Sequence, residues 1–414
     1  MNQKLKIAIC SYRSAPFGGG QGIFIYELSK ALNDLGHQID VISGPPYPNL
    51  EESIRLIKSP GLNLFRTFDF KERLKIFFEK KNKSLDDWYE FFSTLFGGFP
   101  ELKTFGNRAR KLLNEFSYDL VIDNQSLSYG ILEVQKNVPL IEIIHHPITK
   151  DLYYDLQFSK GIIQKISKWR WFSFLKMQKK VAIQLKVIST PSDNSKKDIA
   201  KDFGVAKKNI SVIHNGIDCL SFTPLEDIQR VPNQIITTAS ADVPLKGLDF
   251  TLYAIARLKE DYPELRLVII GEPRPEGHTE RLIKKLQIEK NIFYRSSLTR
   301  DEIAVEYAKS NIAIVSSLYE GFGFPVGEAM SCAIPLIATN VASIPEITGP
   351  FAELIPAESS KAIESAIRNI FANPESYQVK ADAGRIHIIE NFNWQKIALS
   401  YEELMYKTIE EFEC

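Results

Sequence analysis

Residues 5–43, LKIAICSYRSAPFGGGQGIFIYELSKALNDLGHQIDVIS, decide the fold. Leu5 to Cys10 reads as the first strand. A turn follows at Gly18-Gly19-Gly20-Gln21-Gly22. Ile23 to Leu35 then reads as a helix, with Ile25, Leu28, Ala31, Leu32 and Leu35 on one face. Gly36 ends it, and Gln38 to Ser43 reads as the next strand. Strand, helix and strand make one βαβ unit, the building block of a parallel sheet. The turn is not the Gly-x-Gly-x-x-Gly dinucleotide fingerprint, because the third glycine position is Ile23. Gly19 and Gly20 still let backbone N–H groups approach an anion at a helix start, although a purely structural turn fits equally well.

Outward from this unit the alternation continues. Residues from about 45 to 115 are irregular and aromatic, and read as helices and loops inserted over the sheet. Strands are expected at Leu120 to Ile122, Leu140 to Ile144 and Val187 to Thr190, with one long basic and aromatic helical segment between the last two. In the second half, strands fit Ile235 to Thr238, Leu265 to Ile270, Asn291 to Tyr294, Ile312 to Val315, Leu336 to Ala338 and Ala352 to Ile355. Helices fit Leu248 to Lys259, Glu280 to Leu286, Asp301 to Ala308, Val326 to Ser331 and Lys361 to Phe371. Such alternation implies doubly wound α/β layers. The turn-rich stretch from Asn215 to about Asn233 places a linker, giving domains at 1–214 and 215–391. The final helix, within about 392–414, is expected to pack back on the first domain. Ligands of open α/β sheets bind at the carboxyl ends of the strands, so a cleft facing those ends is the expected site.

The bulk composition narrows the classes. The chain has 414 residues, 44% hydrophobic and 25% charged, a globular composition. Lys plus Arg and Asp plus Glu are each 51, so no net charge draws the chain to nucleic acid. Cys10, Cys219, Cys332 and Cys414 are scattered without metal-ligand spacing, which suits a reducing compartment. The N-terminus lacks the sections of a secretory signal, and no apolar run approaches the roughly 20 residues needed to cross a bilayer. A cytoplasmic protein is expected, free or lying on the inner face of a membrane.

The segment EGFGFPVGE, Glu320 to Glu328, follows an expected strand. Gly321 and Gly323 permit close backbone approach, and Pro325 suits a first helical turn. Amides there would face a phosphate. Glu320 lies in the loop and Glu328 in the helix, and a carboxylate accepts hydrogen bonds from vicinal hydroxyls of a ribose or sugar. His145-His146-Pro147 and Asp123-Asn124-Gln125 each end a strand. A histidine there would orient a hydroxyl or take up a proton near neutral pH. No Asp-x-Asp clamp for a metal occurs, and Asp86-Asp87 beside Trp88 reads as a solvated helix face.

EGFGFPVGEAMSCAIPLIATNVASIPEI resembles the donor-binding signature of the retaining glycosyltransferase family 4, whose members have the GT-B fold of two Rossmann-like domains. FGGGQGIFIYELSKALNDLGHQIDVIS resembles that family's N-terminal glycine loop and first helix, ASADVPLKGLD its phosphate loop, and VIHNGID its interdomain linker. The resemblance implies that Glu328 holds the nucleotide ribose and Glu320 contacts the donor sugar. Gly19, Gly20, Lys246 and the amides of Gly321, Phe322 and Gly323 would meet sugar and diphosphate. It implies His145 in the cleft near the transferred sugar, with Glu320 and Lys246 completing the catalytic set. Asn124 and His146 are candidates for the acceptor side. The expected reaction retains the anomeric configuration and needs neither cofactor nor metal beyond the nucleotide diphosphate sugar. One departure stands out: the family's phosphate-loop arginine would fall at Ala241, beside Ser240, leaving Lys246 alone or assisted by Arg13 or Arg274.

A GT-B phosphorylase or epimerase is a rival enzyme, and an inactive nucleotide-sugar binding module a rival non-enzyme. The missing arginine favours the latter; Glu320, Glu328, Lys246 and His145 oppose it. Residues 156–192 lack any acidic residue and interleave Lys160, Lys165, Lys168, Arg170, Lys176, Lys179, Lys180 and Lys186 with Phe158, Trp169, Trp171, Phe172 and Phe174. That mixture suits an anionic membrane surface and a lipid-linked acceptor.

Overall fold

The computed structural model describes residues 3–15, 20–159, 161–238 and 242–413. Gly19, Lys160, Ser240 and Ala241 lie outside these. Two compact units emerge, Met1–His214 with Ile397–Cys414, and Asn215–Lys396.

The first unit runs β1 (Lys6–Ser11), α1 (Gly20–Asp34), β2 (Gln38–Ser43), β3 (Arg55–Lys58), α2 (Phe70–Glu79), α3 (Leu85–Leu95), α4 (Glu101–Leu113), β4 (Leu120–Asn124), α5 (Tyr129–Val134), β5 (Leu140–Ile143), α6 (Thr149–Gln157), α7 (Ile162–Trp171), α8 (Leu175–Ala182), β6 (Ile188–Thr190), α9 (Asp193–Phe203) and β7 (Ile210–Val212). Its parallel sheet has the order β3-β2-β1-β4-β5-β6-β7. Ile7 and Ile9 of β1 are fully buried, and each such side chain contributes roughly 1.5–3 kcal/mol of hydrophobic stabilisation. α1 seats Phe24, Ile25, Leu28 and Leu32 against the sheet.

The second unit runs β8 (Gln234–Thr237), α10 (Leu248–Leu258), β9 (Arg266–Ile270), α11 (His278–Leu286), β10 (Ile292–Arg295), α12 (Arg300–Ala308), β11 (Ile312–Val315), α13 (Phe324–Ser331), β12 (Leu336–Thr339), α14 (Ile344–Thr348), β13 (Glu353–Ile355), α15 (Ser360–Ala372), α16 (Pro374–Asn391) and the start of α17 (Trp394–Glu413). Its parallel sheet has the order β10-β9-β8-β11-β12-β13. In both sheets the chain reverses its winding direction beside the first strand, and ligands of such sheets bind at that point.

From Ile397 onward α17 belongs to the first unit. There Glu402 Oε1 lies 3.1 Å from His37 Nε2, and the Tyr406 hydroxyl donates to Gln3 O at 2.6 Å.

Three expectations need correction. β3, β7 and α16 are additional elements. The long segment before β6 is broken into α7, a short 3-10 turn and α8, and it divides its aromatics: Phe172 is buried and Trp171 and Phe174 pack on the core, while Trp169 is 61% exposed. Asp87 is not solvated but fully buried, because it closes a capping box with Ser84 and accepts from Lys80 Nζ at 2.6 Å.

Candidate active site

In the second unit, the loops after β8 and β11 interlock. Leu318 N donates to Leu245 O at 2.8 Å, and Ser316 Oγ donates to Lys246 O and Gly247 O at 3.3 and 3.1 Å. Gly247 has φ of 62°, and a Cβ there would lie 2.0 Å from Ser316 O, so the backbones meet this closely only at glycine. Gly247 ends the 3-10 turn Pro244–Lys246 and starts α10, which fixes where Lys246 emerges.

Lys246 Nζ donates to Glu320 Oε1 at 2.8 Å, and Ser317 Oγ donates to the same oxygen at 2.6 Å. Glu320 is 9% exposed, so the contact is a shielded ion pair rather than a surface one. Ser343 Oγ donates to the backbone oxygens of Glu320 and Phe322 at 2.9 and 2.8 Å, and Thr339 Oγ1 to Ser317 O at 2.6 Å. Gly323, at φ 100°, caps α13, whose first turn contains Pro325. The Phe322 ring is 4% exposed and packs on Phe324 and Phe392, so it anchors the loop while the backbone remains the candidate ligand contact.

Glu328, half-buried on α13, has its carboxyl pushed up to about 7 by burial; Arg300 opposes the shift and Asp218 adds to it. Arg300 NH1 lies 3.2 Å from Asp218 Oδ2. Near pH 7 this acid is poised between its two forms.

Of the proposed extra cations, Arg274 is exposed, and its backbone N–H donates to Asp242 Oδ2 at 2.8 Å. Asp242 also exchanges bonds with Thr279, accepting its N–H at 2.9 Å and donating its own to Thr279 Oγ1 at 3.0 Å. Arg13, in the first unit, lies 3.7 Å from Glu101 Oε2.

In the first unit, His145 follows β5. Its backbone N–H donates to Gln125 Oε1 at 2.9 Å, its carbonyl accepts from Ser195 Oγ at 3.0 Å, and Phe24 meets its ring edge-on at 4.7 Å. His145 Nε2 lies 2.8 Å from Asn124 Oδ1, while Asn124 Nδ2 donates to Ser11 Oγ at 3.3 Å. This assigns the ring proton to Nε2 and leaves Nδ1 the acceptor. Desolvation, with His146 adding to it, pushes the His145 pKa down to about 3 although part of the residue reaches solvent. The expected uptake of a proton near neutral pH is therefore corrected: His145 is a neutral hydrogen-bonding group.

Asn124 is fully buried, so its amide holds His145 rather than facing an acceptor. His146 Nε2 pairs with Asp151 Oδ2 at 2.8 Å. Gly20 is exposed at the start of α1, and Gly19 lies outside the described residues. No group of three or more His, Cys, Asp or Glu side chains that would hold a metal occurs among the described residues.

Sequence reasoning brought Lys246 and Glu320 to one locus and missed Ser317, Ser343 and Asp242, which set the loops. Their signal is weak, since small polar residues after strands are commonplace. Chemically, a cation and a carboxylate held side by side at a helix N-terminus suit a sugar joined to a phosphate.

Comparison with known proteins agrees. The family profile described as Glycosyl transferases group 1 matches residues 228–387, and that of Glycosyltransferase Family 4 matches residues 18–219. The chain is 36% identical over 412 residues to the MMP alpha-(1->4)-mannosyltransferase of Mycolicibacterium hassiacum, covering 98% of each chain. Among solved structures it resembles sucrose-phosphate synthase of Thermosynechococcus elongatus (TM-score 0.76, 20% identity, covering 98% of this chain and 99% of that one). It also resembles Anabaena HepE solved with UDP-glucose (TM-score 0.70, 15% identity, covering 97% and 100%). The chain belongs to glycosyltransferase family 4 and is a retaining glycosyltransferase with the GT-B fold.

Proposed function

We propose that this transferase moves a hexose, best matched by mannose, from its nucleoside diphosphate to an acceptor hydroxyl with an α linkage. The observation that carries the donor reading is the 2.8 Å Lys246–Glu320 pair. Lys246 takes the phosphate next to the sugar, and Glu320 takes the sugar's hydroxyls. Glu328 takes the ribose, and the amides of Gly321, Phe322 and Gly323 complete the cradle, with Gly19 and Gly20 assisting. Identity of 36% with an α-mannosyltransferase over 98% of both chains supports mannose and the α linkage. The protein's task is then positioning and charge neutralisation on the leaving diphosphate. Lys246 and the helix amides supply that charge, so no metal is required. Neutral His145 orients a hydroxyl of the transferred sugar through Nδ1, and His146 lies on the acceptor side.

The acceptor is read as lipid-linked, at an anionic membrane surface. An exposed apolar face on the first unit supports this: Ile162, Ile163, Ile166 and Trp169 project from α7, and Arg170 Nε donates to the carbonyl of Phe96, itself 71% exposed. Lys165, Lys176, Lys179 and Lys180 are exposed on the same segment. Among the described residues no helix is long and apolar enough to cross a membrane.

Thermal shift against a panel of nucleoside diphosphate sugars tests the donor. A true donor at about 100 times its Kd stabilises by about 2.7 kcal/mol. A mannosyl nucleotide should give the largest shift. Equal, negligible shifts across the panel would refute the donor reading.

A further inference from the structure

Asp123 and Glu142 are register partners across β4 and β5, and both are fully buried. Asp123 Oδ1 and Glu142 Oε2 are both buried, and neither accepts a hydrogen bond from another group. Two acids side by side on neighbouring strands in a dry core cannot both ionise, so one proton is shared between them. Burial pushes both carboxyls up, and the Asp123 charge adds to the shift of Glu142. Cys10 of β1, the register partner of Asp123, faces the pair, and burial keeps its thiol neutral. α4, α5 and α8 bring apolar side chains such as Phe105, Ile131 and Val181 to this core, and α8 also carries the buried, neutral Gln178.

The pair holds the loop that follows β4. Asp123 Oδ2 accepts from Ser126 N at 2.9 Å and from Ser126 Oγ at 2.7 Å, and Glu142 Oε1 accepts from Leu127 N at 3.3 Å. Gln125 and Leu127 adopt left-handed φ of 59° and 47°, which non-glycine residues take only when their surroundings impose it. Asn124, the last residue of β4, and Gln125, the first of the loop, accept from His145 Nε2 and from the His145 backbone N–H.

We propose that the proton-sharing Asp123–Glu142 pair is a positioning element that sets the tautomer and placement of His145 through the Asn124–Leu127 loop. This rests on the reading of His145 at the reacting centre.

The test compares wild type with Glu142→Gln and Glu142→Leu, and with His145→Ala as control. kcat and KM are measured from about pH 6 to about pH 10, alongside denaturant unfolding over the same range. The folded chain keeps a proton that the unfolded chain releases above the ordinary carboxyl range. Wild-type stability should therefore fall with rising pH, by at most about tenfold in the folding constant per pH unit. Glu142→Gln donates to Asp123 and accepts from Leu127 without a titrating proton. It should keep kcat within about threefold, lose Glu142's share of that stability slope and lose any alkaline decline in kcat. Glu142→Leu should lower kcat about tenfold or more with KM for the donor unchanged. Identical stability slopes in wild type and Glu142→Gln would overturn the proposal, as would wild-type kcat in a folded Glu142→Leu. If the leucine variant does not fold, the slope comparison decides alone. Undiminished kcat in His145→Ala would overturn the parent reading, while the stability slopes still report separately whether the proton is shared.

Discussion

Glu328→Gln should stabilise the free enzyme above neutral pH while weakening its hold on the nucleotide. In the fold this carboxyl titrates at about 7 against an ordinary 4.5, with burial the leading cause. A shift of that size corresponds to about 3 kcal/mol between the ionised states. Because Glu328 is only half-buried, about 1–3 kcal/mol is the working figure. The sign follows from linkage: folding raises the pKa, so stability is full below about pH 4.5 and is lost as pH rises through about 7. Glutamine has no such titration. Wild type and variant should melt together near pH 4.5, and the variant should melt about 2–12 °C higher at pH 8, given about 2–4 °C per kcal/mol for a unit of this size. Ribose hydroxyls donating to Glu328 favour its ionised form. Binding of a nucleoside diphosphate to wild type near pH 7 should then release up to about half a proton, measurable by calorimetry in buffers of different ionisation enthalpy. The variant should release none from this site and bind about 1–3 kcal/mol more weakly. Equal melting temperatures at pH 8, or equal nucleotide affinity with no lost proton release, would refute the reasoning.

Lys246→Ala should cost nucleoside diphosphate binding about 2–3 kcal/mol and nucleoside binding little, since only the former presents phosphates; equal losses by calorimetry would make Lys246 structural. Activity should persist in excess chelator, and a complete loss restored by added metal would contradict the charge assignment. Wild type should co-sediment with anionic but not neutral liposomes, each engaged cation adding about 1 kcal/mol. Changing Lys165, Lys176, Lys179 and Lys180 to Glu should abolish this. Negligible sedimentation of wild type with both kinds would remove the membrane reading.

The sheets were legible because their strands are apolar and bounded by turn residues. β2 and β11 fall at the expected residues, Gln38–Ser43 and Ile312–Val315. β3 is four residues long and nowhere fully buried, and β7 has only three, so neither leaves a periodic trace. α16 escaped because its apolar residues do not form one stripe: Val379 and Ile386 are 70% and 57% exposed, while Ala381, Gly384 and Ile388 are buried. At the site, the glycine–acid loop marked Glu320 and Glu328 and the family resemblance marked Lys246, but neither showed that Lys246 and Glu320 form a shielded pair. Glu142 sits inside LIEI, where a lone acid in a buried strand was the available signal. Its partner Asp123 becomes visible only when the register pairs the strands. Of the two roles expected for His145, burial disfavours proton uptake and leaves the orienting of a hydroxyl.

Retaining transfer of a hexosyl group from a nucleoside diphosphate sugar, with Lys246, Glu320 and Glu328 proposed to hold the donor, has a stereochemical signature. Proton NMR of the reaction with an α-linked nucleoside diphosphate mannose and a soluble hydroxyl acceptor tests it most directly, by following the anomeric signal of the first product and the release of nucleoside diphosphate. An α-linked product appearing in step with nucleoside diphosphate, and lost in Glu320→Gln and Lys246→Ala, is the predicted result. A β-linked first product, or undiminished turnover in both variants, would contradict the account.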